Sequence, residues 1–123
     1  MRERIFLASP HMCGEEMKYI KEAFDTNWIA PLGANVNGFE KEIMDYTGVE
    51  NATALSSGTA ALHLAIKCLG ISDGDVVFCQ ALTFSASCNP ILYERATPVF
   101  IDSDYKTWNM CPKALQKAFD DAQ

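Results

Sequence analysis

The sequence has few histidines, no closely spaced cysteines and no long apolar run, and each deficit excludes a class of protein. Its two histidines and five scattered cysteines include no C-x-x-C pair, so it lacks the ligand spacing of zinc, iron–sulfur and dithiol-redox sites. No run reaches the roughly 20 apolar residues that cross a bilayer, and the N-terminus lacks the apolar stretch of a signal peptide. We therefore expect a cytoplasmic protein with reduced thiols, no metal and no membrane partner.

An excess of positive charge is also missing. The chain carries 10 Lys+Arg against 16 Asp+Glu, which gives a formal net charge of -6. This sign excludes a general nucleic-acid surface, because such a surface needs a basic patch facing the phosphates. With 123 residues, 49% of them hydrophobic, the chain can form one modest core. We therefore expect a single domain in which any anion site is local.

The first 48 residues predict an extended arm followed by two helices. Residues 5–10 are apolar but end in proline, which favours an arm over a central strand. Apolar residues then recur at helical spacing over 15–24 and again over 35–46. Gly48 follows the second pattern at the position where a glycine C-cap ends a helix.

The loop between these helices carries two large apolar side chains, Trp28 and Ile29. Pro31 and Gly33 keep the segment from being helical. Two interpretations have equal support from the residues alone. The side chains anchor the loop to a core, or they line a binding cleft or a subunit contact.

Residues 52–65 form the stretch that points most directly to a ligand. The apolar run at 52–55 predicts a strand, Ser57, Gly58 and Thr59 form a turn, and a helix begins at once. Unpaired N–H groups, hydroxyls and the helix dipole at such a start favour an anion such as phosphate. The same residues also cap ordinary helices, so both interpretations stay open here.

The helix that follows has an apolar stripe predicted to face the core, formed by Leu62, Ala65, Ile66 and Leu69. His63 lies one position off this stripe and has no second ligand at metal-binding spacing. We interpret His63 as a packed histidine at the flank of the helix.

Residues 49–123 predict successive βαβ units. The continuous apolar runs at 76–79 and 98–101 are typical of strands buried on both faces of a parallel sheet. A last helix is predicted to begin near Pro112. Polar residues follow the predicted strands at 57–59, 83–87 and 102–104, and open α/β sheets bind ligands outside the carboxyl ends of their strands.

Phe84 lies at the end of one of these strands. It is placed either to lie against a flat ring system or to fill the core. A site for one phosphate beside an aromatic ring would suit pyridoxal phosphate, although composition alone does not prove it. The G-x-G-x-x-G fingerprint of dinucleotide sites and the lysine of a P-loop are both missing.

Four segments together, at 27–33, 57–65, 81–87 and 96–102, closely resemble the N-terminal third of the DegT/DnrJ/StrS family of pyridoxal-phosphate-dependent sugar aminotransferases. The similarity covers nearly the whole chain. It implies an α/β fold, the N-terminal part of the large domain of fold type I (aspartate aminotransferase-like) enzymes, with a mainly parallel sheet and flanking helices. Within the family, the sequence is most similar to enzymes that aminate a UDP-linked 4-keto-6-deoxy-N-acetylhexosamine, as in the bacillosamine pathway.

The resemblance also implies residue roles. Gly58 and Thr59 match the positions that bind the cofactor phosphate, and Phe84 matches the ring that stacks on the pyridine. Ser57 and Ser87 are implied as further cofactor contacts. Trp28 and Ile29 match a loop that helps to form the sugar-nucleotide cleft, which in this family lies at a homodimer interface.

The resemblance implies a parent enzyme that moves an amino group from glutamate to a nucleotide-linked keto sugar. The family's cofactor-binding lysine and the acidic partner of the pyridine nitrogen lie beyond residue 123, so we expect this chain to be a fragment without catalytic residues. Two alternatives stay open. The parent is a deoxysugar dehydratase of the same family, or the chain is a non-catalytic binding or regulatory module.

Overall fold

The computed structural model describes residues 4–122 and divides the chain into two compact units, Met1–Ala54 and Leu55–Gln123. The sequence predicts one domain, with the arm and two helices over residues 1–48 and βαβ units over residues 49–123. The first unit holds two helices, and the second holds a helix, a βαβ arrangement and a final helix. The elements are α1 (Glu16–Asp25), α2 (Ala34–Thr47), α3 (Gly58–Cys68), β1 (Val76–Gln80), a 3-10 turn (Ser85–Ser87), α4 (Asn89–Tyr93), β2 (Thr97–Ile101) and α5 (Pro112–Asp121).

The first unit follows its sequence pattern closely. Residues 4–15 form neither helix nor strand, and both helices lie within a residue or two of their predicted bounds. Gly48 ends α2 in the left-handed region, with φ 76°, and its N–H donates to the Met44 carbonyl at 2.8 Å. The Asn35 side chain donates to the Tyr19 carbonyl at 3.3 Å and so joins α2 to α1.

The second unit is built on a parallel pair of strands. β1 pairs with β2 in a register that sets Gln80 beside Ile101, so both strands end at the same edge. The 3-10 turn and α4 form the crossover between them. Its core consists of Cys79, Ile91 and Ala96, with Ile66 and Cys88 among the half-buried residues packed around them. The predicted parallel pairing is therefore confirmed.

The predicted strand at 52–55 is wrong for this structure, because those residues form no strand. A strand needs a neighbour that satisfies its N–H and C=O groups. The N–H of Ala54 instead donates to the Glu40 side chain at 2.8 Å. Within residues 4–122 the sheet has two strands, so the structure shows one βαβ unit where the sequence predicted several.

The predicted inward face of α3 is also largely wrong. Leu62 is 43% exposed and Leu69 is 77% exposed, and only Ile66 of that stripe is half-buried. The half-buried side of α3 instead carries Thr59 and His63. The reason is tertiary, since this side of the helix meets α4 and the 3-10 turn.

In the part of the chain that is described, no helix combines the length and the apolar character needed to cross a membrane.

Candidate functional site

The start of α3 has the geometry of a capped helix. Ser57 is the N-cap, with extended backbone angles of φ -165° and ψ 161°. Its hydroxyl oxygen accepts a hydrogen bond from the Ala60 N–H at 3.2 Å. Because the oxygen acts as an acceptor here, the hydroxyl proton stays available to a ligand. The predicted helix start at residue 57 is therefore confirmed.

Two backbone donors at this helix start are free. Among the described residues, nothing accepts a hydrogen bond from the N–H groups of Gly58 and Thr59. A Cβ built on Gly58 would meet no atom within 4 Å, so there is open space beside the backbone. Free N–H donors, two hydroxyls and open space at the positive end of a helix form a donor set that suits a phosphate group. The residues present therefore fit the phosphate of a cofactor.

Phe84 follows β1 at the carboxyl edge of the sheet and is 79% exposed. The interpretation of Phe84 as a core aromatic is therefore wrong for this structure. Its backbone is extended, with φ -68° and ψ 140°, and its carbonyl accepts from the Ser87 N–H at 2.9 Å. An exposed ring held by a hydrogen-bonded turn can stack on a flat ligand.

Ser87 supports this turn from within. Its hydroxyl lies 2.9 Å from the hydroxyl of Thr83, so the two side chains close the segment around Phe84. The 3-10 turn that contains Ser87 lies against α3. The structure therefore brings the turn after Phe84 beside α3, although the segment before α3 is not the strand that the sequence predicted.

Gln80, which ends β1, is a structural residue of this region that the sequence did not predict. Its side-chain amide donates to the Trp108 carbonyl at 2.8 Å and to the Leu82 carbonyl at 3.1 Å. Gln80 thereby joins the segment before Phe84 to the loop after β2. The available signal was a polar residue at the end of an otherwise apolar strand, but the sequence did not indicate which groups this residue would contact.

The loop after β2 is held by Asp104. Its carboxylate accepts from the N–H groups of Lys106 and Thr107, each at 3.0 Å. These backbone hydrogen bonds, that from Thr107 first, lower the pKa of Asp104 below its ordinary value. Within the predicted polar segment at 102–104, the Asp104 carboxylate is therefore engaged in hydrogen bonds of its own turn.

Trp28 and Ile29 lie in the loop of the first unit. The Trp28 indole N–H donates to the Leu32 carbonyl, and a Cβ at Gly33 would overlap the indole ring. Trp28 is nevertheless 56% exposed and Ile29 is 65% exposed. Trp28 therefore orders its own loop while both residues keep apolar surface open to solvent.

Within residues 4–122, no group of three or more His, Cys, Asp or Glu side chains could hold a metal ion. The donors described above are hydroxyls and backbone N–H groups, which suit an anion. These features define an α/β arrangement in which the start of α3 presents free N–H groups and the carboxyl edge of the strand pair carries an exposed aromatic ring.

The chain belongs to the DegT/DnrJ/EryC1/StrS aminotransferase family, whose family model matches residues 10–122. It is 55% identical over all 123 residues to EpsN of Bacillus subtilis (strain 168), which is named as a pyridoxal phosphate-dependent aminotransferase. It is 45% identical over 113 residues, 92% of the chain, to GDP-perosamine synthase of Caulobacter vibrioides. The chain spans 32% and 30% of these two relatives.

Solved structures agree with this assignment. The PLP form of a structure described as the sugar aminotransferase Spr1654 of Streptococcus pneumoniae matches with a TM-score of 0.84 at 30% identity, over 94% of this chain and 29% of that one. The E. coli GDP-4-keto-6-deoxy-D-mannose-3-dehydratase matches with a TM-score of 0.81 at 26% identity, over 91% and 30% of the two chains. The predicted fold class, part of the fold type I large domain, is confirmed by these matches.

Proposed function

We propose that this chain supplies the phosphate-binding and ring-stacking part of a pyridoxal-phosphate-dependent sugar aminotransferase. The observation that carries the proposal is the donor set at the start of α3, where the N–H groups of Gly58 and Thr59 are free among the described residues and open space lies beside Gly58. Family membership supports it, since the relatives EpsN and Spr1654 are named or described as such enzymes.

In this proposal Gly58 and Thr59 bind the cofactor phosphate through their N–H groups and the Thr59 hydroxyl. Ser57 adds its free hydroxyl proton, and Ser87 is a further contact on the neighbouring turn. Phe84 stacks its exposed ring on the pyridine. Pyridoxal phosphate, once bound, supplies the electron sink that amine transfer requires, and the protein supplies binding and orientation.

We further propose that the complete enzyme transfers an amino group from glutamate to a nucleotide-linked keto sugar. The name of the relative GDP-perosamine synthase supports a nucleotide sugar as the substrate class. The narrower expectation of a UDP-linked bacillosamine-type substrate stays a prediction. A cytoplasmic homodimer, in which Trp28 and Ile29 contribute to the sugar-nucleotide cleft, is proposed on the same resemblance.

The test uses the full-length gene product that carries this chain. We expect a visible absorbance band that borohydride abolishes. We also expect Thr59→Ala to weaken binding of pyridoxal phosphate by about 10- to 150-fold, because a hydrogen bond to a charged group contributes about 1.5–3 kcal/mol. Thr59→Ser keeps the hydroxyl and is the matched control. A colourless protein that ignores added cofactor would contradict the proposal.

A second candidate function is dehydration of a deoxysugar on the same fold. It is favoured by the match to the E. coli GDP-4-keto-6-deoxy-D-mannose-3-dehydratase. Product analysis of the full-length protein with a nucleotide-linked keto sugar and glutamate separates the two functions. An amino sugar supports the aminotransferase, and a deoxy-keto sugar without nitrogen supports the dehydratase.

A further inference from the structure

His63, Lys67 and Glu94 form a polar bridge between α3 and the end of α4. His63 Nε2 lies 2.6 Å from Glu94 Oε1, and Lys67 Nζ lies 3.3 Å from both Glu94 oxygens. The Glu94 side chain is only 15% exposed. In the ion pairs outside this bridge, every side chain is 59% exposed or more. The bridge is thus the most shielded ionic contact among the described residues.

Glu94 is held by a well-anchored element. The residues before it in α4, Pro90 and Ile91, are the largest fully buried side chains of the described chain. By contrast, no residue of α3 is buried. Glu94 is therefore the fixed partner, and α3 is the element whose position the bridge determines.

The spacing of the two bonds fixes the orientation of α3. His63 and Lys67 are four residues apart, so they lie one above the other on one side of the helix. Two bonds to one carboxylate, about one turn apart, restrain both rotation about the helix axis and sliding along it. Thr59 is four residues before His63 and lies on the same side, at the phosphate-binding end.

The bridge also favours an ionised carboxylate. The hydrogen bond from His63, followed by the contacts of Lys67, lowers the pKa of Glu94 below its ordinary value. The Tyr93 ring meets the His63 ring edge-on at 5.3 Å between centroids and so holds the imidazole from another side. The His63 ring therefore contacts two consecutive residues at the end of α4.

The geometry points to a positioning function for the His63–Lys67–Glu94 bridge, which aims the start of α3 at the phosphate of the cofactor. This inference rests on the proposed function, and it assigns to Glu94 a role that no binding contact gives it. Glu94 acts through α3 and is a positioning residue. Without the bridge, α3 keeps apolar contacts such as Ile66 against the core, which are less directional.

The test compares two probes on the full-length gene product freed of cofactor, pyridoxamine 5'-phosphate and pyridoxamine, which differ in the phosphate group. We expect Glu94→Gln to weaken binding of pyridoxamine 5'-phosphate by about tenfold and that of pyridoxamine by less than about twofold. Fluorescence titration gives both dissociation constants. A general loss of structure would weaken binding of both probes equally. A change in the ratio of the two dissociation constants therefore reports an effect at the phosphate end.

Matched variants separate positioning from stability. Ile91→Val removes one methyl group from the core of α4, so it should lower Tm and leave the probe ratio unchanged. Lys67 is 65% exposed, so its substitution does not threaten folding. Lys67→Met should reduce the preference for pyridoxamine 5'-phosphate over pyridoxamine, by less than Glu94→Gln does. Lys67→Arg should preserve this preference.

The outcomes are distinguishable. If the unaltered protein binds pyridoxamine 5'-phosphate more tightly than pyridoxamine and Glu94→Gln leaves the ratio unchanged, the bridge does not position the site and the proposed function stands. Equal losses for both probes would show a structural role only and would also overturn the inference. If the unaltered protein does not prefer the phosphorylated probe, the proposed function fails and the inference fails with it.

Discussion

At the scale of single residues, several side chains make contacts or expose surfaces that their residue type did not predict. Gln80 joins two loops through one amide group, and Glu94 receives two cationic or imidazole partners from a different helix. Phe84 exposes its ring instead of burying it. Trp108 lies 28 positions from Gln80, and the partners of Glu94 lie 27 and 31 positions from it, so local sequence did not indicate these contacts.

Two glycines of the first unit should respond to alanine in opposite directions. Gly33 has φ +151°, and its added Cβ would overlap the Trp28 ring, so Gly33→Ala should destabilise the protein by about 1–3 kcal/mol. Gly38 lies inside α2 with nothing within 4 Å of an added Cβ. Gly38→Ala should therefore stabilise it by about 0.5–1 kcal/mol.

Thermal unfolding of both variants measures this contrast, and Trp28 fluorescence reports the loop directly. Gly38→Ala is the matched control, because it makes the same chemical change in the same unit. A Tm for Gly33→Ala at or above that of the unaltered protein would contradict the contact between Trp28 and Gly33.

At the scale of elements, the helix boundaries follow local chemistry. α3 begins at a serine that caps it, and α2 ends at a glycine in the left-handed region. α5 begins with Pro112 at its first turn, but its N-cap, Cys111, makes no side-chain capping bond. The sequence predicted the position of this helix start.

Providing α5 with a capping side chain should stabilise it. Cys111 already has extended N-cap angles of φ -74° and ψ 116°. A serine hydroxyl there can accept from an N–H of the first turn, so Cys111→Ser should raise stability by about 0.5–1 kcal/mol. Ser57→Ala removes the corresponding bond from α3 and should lower stability by about 1 kcal/mol.

Chemical denaturation of both variants measures the two changes. If Cys111→Ser lowers the unfolding free energy, the packing of the half-buried thiol outweighs the missing cap, and the prediction is wrong. Ser57→Ala serves as the reference for the size of a capping bond in this chain.

At the scale of the whole molecule, the chain exposes much apolar surface. Its accessible surface is 10574 Å². Even two separate compact units of these sizes would together expose only about 7,900 Å². Large side chains such as Phe24, Phe39 and Tyr46 leave the predicted apolar faces of α1 and α2 open. Exposed apolar surface on this scale is typical of interaction sites.

We predict that the 123-residue chain, purified alone, transfers no amino group and binds a hydrophobic dye strongly. Five of its seven lysines pair with carboxylates of the described residues, and these are Lys18, Lys21, Lys41, Lys67 and Lys117. The measurement is amine transfer from glutamate with added pyridoxal phosphate, beside dye fluorescence. The full-length gene product is the control for the assay. Cofactor-dependent transfer by the chain alone would overturn the prediction.

How far the sequence could be interpreted depended on the range of the interactions involved. Helix starts and stops at Ser57, Gly48 and Pro112 arise within one turn of the chain, so they were predictable. The free N–H groups of Gly58 and Thr59 were predictable for the same reason, because a helix start leaves its first N–H groups without a partner wherever it lies. The strand at 52–55 was predicted from its own apolar pattern and failed, because pairing depends on a neighbour.

The sequence by itself therefore determined the approximate bounds of the helices and of β1 and β2, and the capped start of α3. These features are set by caps, periodicity and apolar runs, which act over a few residues. Only the tertiary structure decided that α3 turns its Thr59 and His63 side toward α4 and that Glu94 meets residues 27 and 31 positions earlier. It also decided that Phe84 is open to a ligand. Contacts between distant segments form only when the chain packs, and local sequence does not encode which side of a helix will meet them.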